Sequence, residues 1–260
     1  MVQPKKHLGQ HFLTDLSIAE KVACLLDKSS AGRIIEVGCG KGVLSDFLLP
    51  KFQSDLLCID IDDESIAYMH EKYPECLDQF VLGDILAYEF DLGKKDYAII
   101  GNYPYNISSQ IVFKVLDNWT NVKYFTGMFQ KEVAERLCAK EGSKTYGILS
   151  VLLNTFYDTE YCFSIKPGSF FPAPKVMSGV IHAVRKENFE LPVPYKFYKA
   201  VIKTAFGQRR KMLRNSLSSL GIEQIIDKSY FTMRPEQLSF AKFIELSELL
   251  YLVQNGNRGN

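Results

Sequence analysis

The sequence predicts an α/β fold: a doubly wound sheet followed by a small helical domain. Three observations carry that reading. Arg33-Ile34-Ile35-Glu36-Val37 suits a buried strand, and it passes directly into Gly38-Cys39-Gly40-Lys41-Gly42 and an apolar helical stretch over residues 43–49. Leu56-Leu57-Cys58-Ile59 is a second such run, closed by Asp60 at about the separation from the glycine loop that a Rossmann-like nucleotide site has. Beyond residue 194 strand signals stop, and apolar residues recur at three-to-four spacing over 195–206, 211–220, 222–228 and 239–253. The charged segment 187–194, with its paired prolines, reads as a linker, so the expected domains are 1–186 and 187–260.

The totals agree. A chain of 260 residues accommodates one sizeable α/β core and an appendage. With 31 basic and 30 acidic residues there is no overall basic field, and any affinity for nucleic acid must come from local clusters. Six cysteines at 24, 39, 58, 76, 138 and 162 form no C-x-x-C pair, which argues against a structural zinc site and a disulfide framework and for the reduced thiols of a cytoplasmic protein. No metal is expected. The N-terminal Met-Val-Gln-Pro-Lys-Lys-His lacks the apolar stretch of a signal peptide, and no run reaches the ~18 apolar residues of a membrane span.

Taken in order, the basic stretch from Lys5 to Leu13 has two readings, a mobile tail or part of a site. An amphipathic run over residues 16–26 follows, with Ser17 and Glu20 spaced as a capping box. The glycine loop lets backbone approach a ligand, and the helix after it offers unpaired N–H groups. An ordinary tight turn would look the same. Asp60 adds specificity, because a carboxylate closing that strand can accept both hydroxyls of a ribose, whereas Asp63 and Glu64 suit a helix start. A third strand, Phe80-Val81-Leu82, ends in Gly83-Asp84, where a carboxylate would meet the amino group of an adenine. A dinucleotide loop would carry its third glycine at the position of Val43 rather than Gly42. Spacing and Asp84 together favour S-adenosylmethionine over a nicotinamide dinucleotide, with Gly38, Gly40, Asp60 and Asp84 as its candidate ligands.

Tyr97-Ala98-Ile99-Ile100 is a further strand, stopped by Gly101 and by Pro104. Asn102 then sits at a strand end of a doubly wound sheet, where such folds bind ligands, and Pro104 stiffens the corner from which Tyr105 projects. That is a site for a flat amine. Downstream, residues 107–118 and 130–137 read as helices, and 122–129, 148–156, 161–165 and 178–184 as strands. In the loop from Lys166 to Val176 three prolines hold Phe170 and Phe171, either packed on the sheet or offered to a ligand. Lys203, Arg209, Arg210, Lys211 and Arg214 are either a solvated helix face or a phosphate-binding cluster. Residues 255–260 are expected to be disordered.

Asn102-Tyr103-Pro104-Tyr105 resembles the Asn-x-Pro-Tyr loop of methyltransferases that act on exocyclic amino groups of bases. With Gln10-His11-Phe12-Leu13, the Gly38 loop, Gln130-Lys131-Glu132-Val133, the Phe170 loop and Phe206-Gly207-Gln208-Arg209-Arg210-Lys211, the chain from about His7 to about Leu249 resembles the ribosomal RNA adenine N6,N6-dimethyltransferases. The resemblance implies an S-adenosylmethionine-dependent enzyme in which the Asn102 side-chain oxygen and the Tyr103 carbonyl accept the amine, and Tyr105 and Phe170 sandwich the base while Phe171 packs. It implies that His11, Leu13 and Asn102 touch the methyl donor, His11 standing where the family usually has Asn. Lys203, Arg209, Arg210, Lys211 and Arg214 would grip RNA. The implied substrate is a pair of adjacent adenines near the 3′ end of 16S rRNA in a partly assembled small ribosomal subunit, modified by a cytoplasmic monomer. A non-catalytic ribosome-assembly or nucleic-acid-binding factor on the same fold is the alternative, and the intact Gly38 loop, Asp60, Asp84 and Asn102 weigh against it.

Overall fold

The computed structural model describes residues 2–26, 31–91, 96–225 and 228–256, and nine strands are formed among these described residues. They are β1 (Phe12–Leu13), β2 (Arg33–Val37), β3 (Leu56–Asp60), β4 (Phe80–Leu82), β5 (Tyr97–Asn102), β6 (Val122–Gln130), β7 (Tyr157–Ile165), β8 (Phe170–Phe171) and β9 (Ser178–Arg185). The helices are α1 (Leu16–Ala23), α2 (Ser45–Phe52), α3 (Asp63–Lys72), α4 (Ser108–Asp117), α5 (Lys131–Leu137), α6 (Ile148–Phe156), α7 (Tyr195–Gly207), α8 (Leu213–Ser216) and α9 (Phe240–Gly256). The main sheet runs β4-β3-β2-β5-β6-β9-β7; its first five strands are parallel and β9 is antiparallel to β6. The chain reverses its direction of winding between β2 and β5, so the ends of these two strands, with Val37 opposite Gly101, flank the crevice where such sheets take ligands.

Strand β5 is central because its residues leave no alternative: Ala98, Ile99 and Ile100 are fully or almost fully buried, as parallel strands covered on both faces are. Its end is shaped by two glycines. Gly101 lies opposite Gly127 of β6, and the ring of Tyr103 fills the space beside them, its hydroxyl donating to the Thr126 carbonyl at 2.7 Å. A Cβ on Gly127 would stand 2.3 Å from the Gly101 carbonyl oxygen and 2.4 Å from the Tyr103 ring. Tyr103 is thus swallowed by the sheet, and the chain must turn outward through Pro104.

Contacts divide the chain into two units, Met1–Glu135 with Asp158–Arg185, and Arg136–Tyr157 with Lys186–Asn260. The expected division at 186/187 therefore needs a correction, since Arg136–Tyr157 goes with the C-terminal part. The cause is α6, expected to be a strand. Leu149, Ser150, Val151, Leu152, Leu153, Thr155 and Phe156 are all buried, and so short an apolar run cannot be told from a buried strand by its residues alone. It packs on α7 and α9, with Thr155 Oγ1 and Tyr198 Oη sharing a 2.7 Å hydrogen bond. Two smaller differences concern helix starts and lengths. Asp15, not Ser17, caps α1, accepting from the Ser17 and Ile18 amides, and the expected helix 211–220 is only α8 followed by a 3-10 turn. Of the stretch 255–260, Asn255 belongs to α9 and residues 257–260 lie outside the described residues.

Because Gly127 has neither the space nor an ordinary backbone angle for a side chain (φ +155°), Gly127→Ala should lower stability by about 1–3 kcal/mol in denaturant titration. An unchanged midpoint would mean that the Tyr103 ring has room to give way.

Candidate active site

A cleft of about 150 Å³ opens at the ends of β2, β3 and β5. Its walls include Gly38 and Gly40, Asp60 and Ile61, Asp84 and Leu86, the Asn102–Ile107 corner, and Leu8–Phe12 from the N-terminal segment. The expected residues Gly38, Gly40, Asp60, Asp84, Asn102, Tyr103, Pro104, Tyr105 and His11 are brought together here. Leu13 lines a smaller cavity of about 30 Å³ behind it, with Glu36, Cys39, Lys41, Met128 and, shared with the first, Phe12, Gly38, Gly40 and Asn102.

The N-terminal segment is no loose tail. Strand β1 pairs with β8 in a two-stranded ribbon, Phe12 opposite Phe171 and Leu13 opposite Phe170, and the Phe12 ring lies against Gly40, where an added Cβ would come within 2.8 Å of it. Alternation along this ribbon corrects the reading of the phenylalanines. Phe170 shares the face of Leu13 and is 4 % exposed in the core, whereas Phe171 shares the face of Phe12 and is 57 % exposed. Phe170 does not line the cleft; the ring expected to pack is the one in solvent.

The polar side chains singled out at the cleft are each held in place. One Asp60 carboxylate oxygen accepts from the Gly40 amide at 3.0 Å and the other from the Asp62 amide at 3.0 Å, so the carboxylate is pinned to the glycine loop while facing the cleft. Burial pushes the Asp60 carboxyl up from its ordinary value. The Asp84 carboxylate accepts from the Leu86 amide at 2.8 Å, which sets the turn after β4. Asn102 Nδ2 donates to the His11 carbonyl at 2.7 Å. Since a carbonyl only accepts, this bond fixes which end of the amide is which and leaves Oδ1 as its accepting end. His11 Nδ1 bonds the Pro172 carbonyl at 2.7 Å, so that nitrogen carries the hydrogen, and the imidazole lies 5.3 Å from the Tyr105 ring at an interplanar angle of 34°. Tyr105 Oη and Ser178 Oγ share a hydrogen bond of 2.6 Å, anchoring the ring by its far end, and burial raises the phenol's pKa.

Sequence reasoning missed the apolar part of the site. Ile61, 57 % exposed, and Leu86 line the same cleft as the two carboxylates. The signal was present in Asp60-Ile61-Asp62, an apolar residue set between acids at a strand end. Of the basic cluster, Arg210, Lys211 and Arg214 are exposed after α7, but Arg209 is already used within its own unit, donating to the Lys144 carbonyl at 2.9 Å and lying 4.0 Å from Glu236. Lys203 is exposed on α7.

A sequence model of the ribosomal RNA adenine dimethylases matches residues 1–251. The chain belongs to that family. It is 50 % identical over 250 residues to the ribosomal RNA small subunit methyltransferase A of Flavobacterium johnsoniae, covering 95 % of each chain, and 50 % identical over 255 residues to that of Porphyromonas gingivalis, covering 96 % of this chain and 98 % of the relative. Among solved structures, the dimethyladenosine transferase of Plasmodium falciparum superposes with a TM-score of 0.80 at 26 % identity, covering 95 % of this chain and 98 % of that one. The 23S rRNA methyltransferase ErmE, at 21 % identity and a TM-score of 0.64 over 91 % of this chain and 99 % of its own, shares the fold. As a member of the dimethylase family the chain is an S-adenosylmethionine-dependent methyltransferase, and the cleft fits that cofactor: two strand-end carboxylates, an exposed isoleucine next to Asp60 in sequence and a loop that tolerates no Cβ at Gly40.

Glu36 lies beside this site, fully buried, accepting from Ser45 Oγ at 2.6 Å and from the Cys58 thiol. Burial raises its pKa to about 7 against those two donors. The unfolded chain ionises this carboxyl first, so it binds fewer protons than the folded one between about pH 4.5 and 7, and stability falls as pH rises through that window. Glu36→Gln should remove a slope of up to about 1.4 kcal/mol per pH unit there, measured by urea unfolding at several pH values. A variant with the parent's slope would show that Glu36 ionises normally.

Proposed function

We propose that the chain transfers two methyl groups to the N6 amine of each of two adjacent adenines near the 3′ end of small-subunit ribosomal RNA, as a step in subunit assembly. The observation that carries this reading is the Asn102 amide, anchored by its nitrogen at the wall of a cleft that Asp60 and Asp84 also line. The names of the small-subunit relatives support the choice of RNA.

Asp60 would hold the ribose hydroxyls of the cofactor, Asp84 the amino group of its adenine, and Ile61 and Leu86 the faces of that ring. When bound, S-adenosylmethionine supplies an electrophilic methyl group on a sulfonium. The chain's own residues deal with the nucleophile. An adenine N6 lone pair is delocalised into the ring and attacks poorly. Asn102 Oδ1 accepts one N–H and the Tyr103 carbonyl the other, which favours a pyramidal nitrogen with its lone pair directed at the methyl; most of the acceleration is positioning. No side chain need remove the proton during transfer, because the ammonium product is acidic and loses it to water. Asn102 in the neutral amide form also leaves no fixed anion to hold a cationic donor in an unreactive pose.

Tyr105 supplies a stacking face, tethered through Ser178, for a base taken out of its stack; such contacts are worth about 1–3 kcal/mol. Phe170 supports the ribbon from beneath by packing with Leu13. Leu13 and His11 hold the cofactor side of the catalytic corner. Lys203, Arg210, Lys211 and Arg214, with a lesser part for Arg209, would contact phosphates and give affinity that falls with salt. The protein works as a monomer in the cytoplasm.

The test is methyl transfer from labelled S-adenosylmethionine to small subunits lacking the modification, followed by nucleoside analysis, for the parent and for Asn102→Ala. The parent should yield N6,N6-dimethyladenosine, and the folded variant should lose at least about 100-fold in rate, near 2.7 kcal/mol of transition-state stabilisation. Subunit binding by the parent without any transfer would favour an assembly factor that has given up catalysis.

A further inference from the structure

The N-terminal segment reaches the catalytic amide from one side and the ribose side of the cleft from the other. Among residues 5–11 none is buried, so the segment is not seated by the hydrophobic effect. Polar contacts seat it at its start. Lys5 Nζ lies 2.5 Å from Asp62 Oδ1, 3.2 Å from Glu64 Oε1 and 3.3 Å from Asp63 Oδ1. Gln10 Nε2 donates to Asp62 Oδ2 at 3.1 Å, and the Gln10 side-chain oxygen accepts from the Lys5 amide at 2.8 Å, closing the strap on itself.

Asp62 is built to receive these groups. Its side chain is fully buried, it accepts from Ser65 Oγ at 2.9 Å, and its amide donates to the Asp60 carboxylate at 3.0 Å. Burial works against its ionised form, yet the bonds from Lys5, Gln10 and Ser65 outweigh that and hold the carboxyl below its ordinary value. At the other end of the same segment the His11 carbonyl takes the Asn102 amide hydrogen at 2.7 Å. A continuous path therefore runs from the ribose carboxylate Asp60 through Asp62, Lys5 and Gln10 to His11 and Asn102.

We propose that residues 5–11 form a latch in which Lys5, Gln10 and Asp62 act as positioning residues for methyl transfer, coupling the state of the Asp60 loop to the alignment of the Asn102 amide. The latch rests on the proposed role of Asn102 in holding the amine. With the latch closed, Asn102 is restrained by His11, its Oδ1 is presented to the incoming amine, and the segment covers the cleft. With the latch open, Asn102 loses its partner and turns freely, and the cofactor cleft loses a wall. Lys5 and Asp62 touch neither substrate nor reacting atoms; they act through His11.

The test compares the parent with Lys5→Met, which keeps the apolar stem and removes the charge, and with Asp62→Asn. Three quantities are measured on the full chain: binding of S-adenosylhomocysteine by calorimetry, turnover at saturating cofactor and subunit, and hydrogen exchange of the Asn102 side-chain amide by NMR, assigned by comparison with Asn102→Ala. Lys5→Met is expected to weaken S-adenosylhomocysteine about tenfold, to lower turnover at saturation about tenfold, and to speed exchange of the Asn102 amide at least about tenfold, at a temperature where the circular dichroism of the variant matches the parent's. Asp62→Asn should change the same three quantities in the same direction. If Lys5→Met weakens cofactor binding but turnover at saturation and amide exchange stay within twofold, the segment is only a cover and the coupling is wrong. If all three stay at parent values, there is no latch. The calorimetric and exchange arms do not require the parent to transfer methyl groups, so they read the latch even where the functional reading fails.

Discussion

The site depends on one hydrogen bond, from the Asn102 amide to the His11 carbonyl at 2.7 Å. An asparagine at a strand end could rotate and present either its nitrogen or its oxygen to a ligand. This bond removes the choice. It also explains why an amide stands at position 102: the residue must donate on one side and accept on the other, and a carboxylate would set two acceptors against each other. The constraint extends outward, because His11 is held in turn by the Pro172 carbonyl and by the pairing of β1 with β8.

The sheet sets the other half of the geometry. Gly101 and Gly127 let two adjacent strand ends come together over the Tyr103 ring, and Tyr103, bonded to Thr126, cannot leave. Pro104 then turns the chain toward the cleft. Residues that never touch a ligand thus decide where Asn102 and Tyr105 stand. Asp60 is managed likewise, its two oxygens engaged by the Gly40 and Asp62 amides, so that this carboxylate is tied to the glycine loop.

Much of this is legible in the sequence, and for a common reason. Strand ends marked by glycine, proline or a carboxylate leave local signals, which is why Gly38, Gly40, Asp60, Asp84 and Asn102 fall on one edge of the sheet by residue pattern alone. What the pattern hides depends on long-range partners. The burial of Phe170 and the exposure of Phe171 follow from the register of a two-residue strand against Phe12 and Leu13, more than 150 residues earlier. The helix α6 is hidden because so short an apolar run reads equally well as a buried strand, and the domain division moves with it. Ile61 leaves only the faint mark of an apolar residue between two acids, and Leu86, inside the short apolar run Ile85-Leu86-Ala87, leaves none. Arg209 is indistinguishable from its neighbours in sequence, and only its bond to the distant Lys144 carbonyl sets it apart.

The most direct test of this account is the turnover of Asn102→Asp at saturating cofactor and RNA, measured with its affinity for S-adenosylhomocysteine. The substitution keeps size and an acceptor for the amine, removes the donor to His11 and adds a negative charge, which the neutral cofactor product S-adenosylhomocysteine does not attract as the sulfonium would. The account predicts a loss of at least about 100-fold in turnover, with weakened cofactor binding, because a carboxylate facing the His11 carbonyl is left unpaired and drives the N-terminal segment away. Turnover within threefold of the parent would contradict it, and would mean that the amine needs an acceptor at position 102 but the enzyme does not need the bond that aims it.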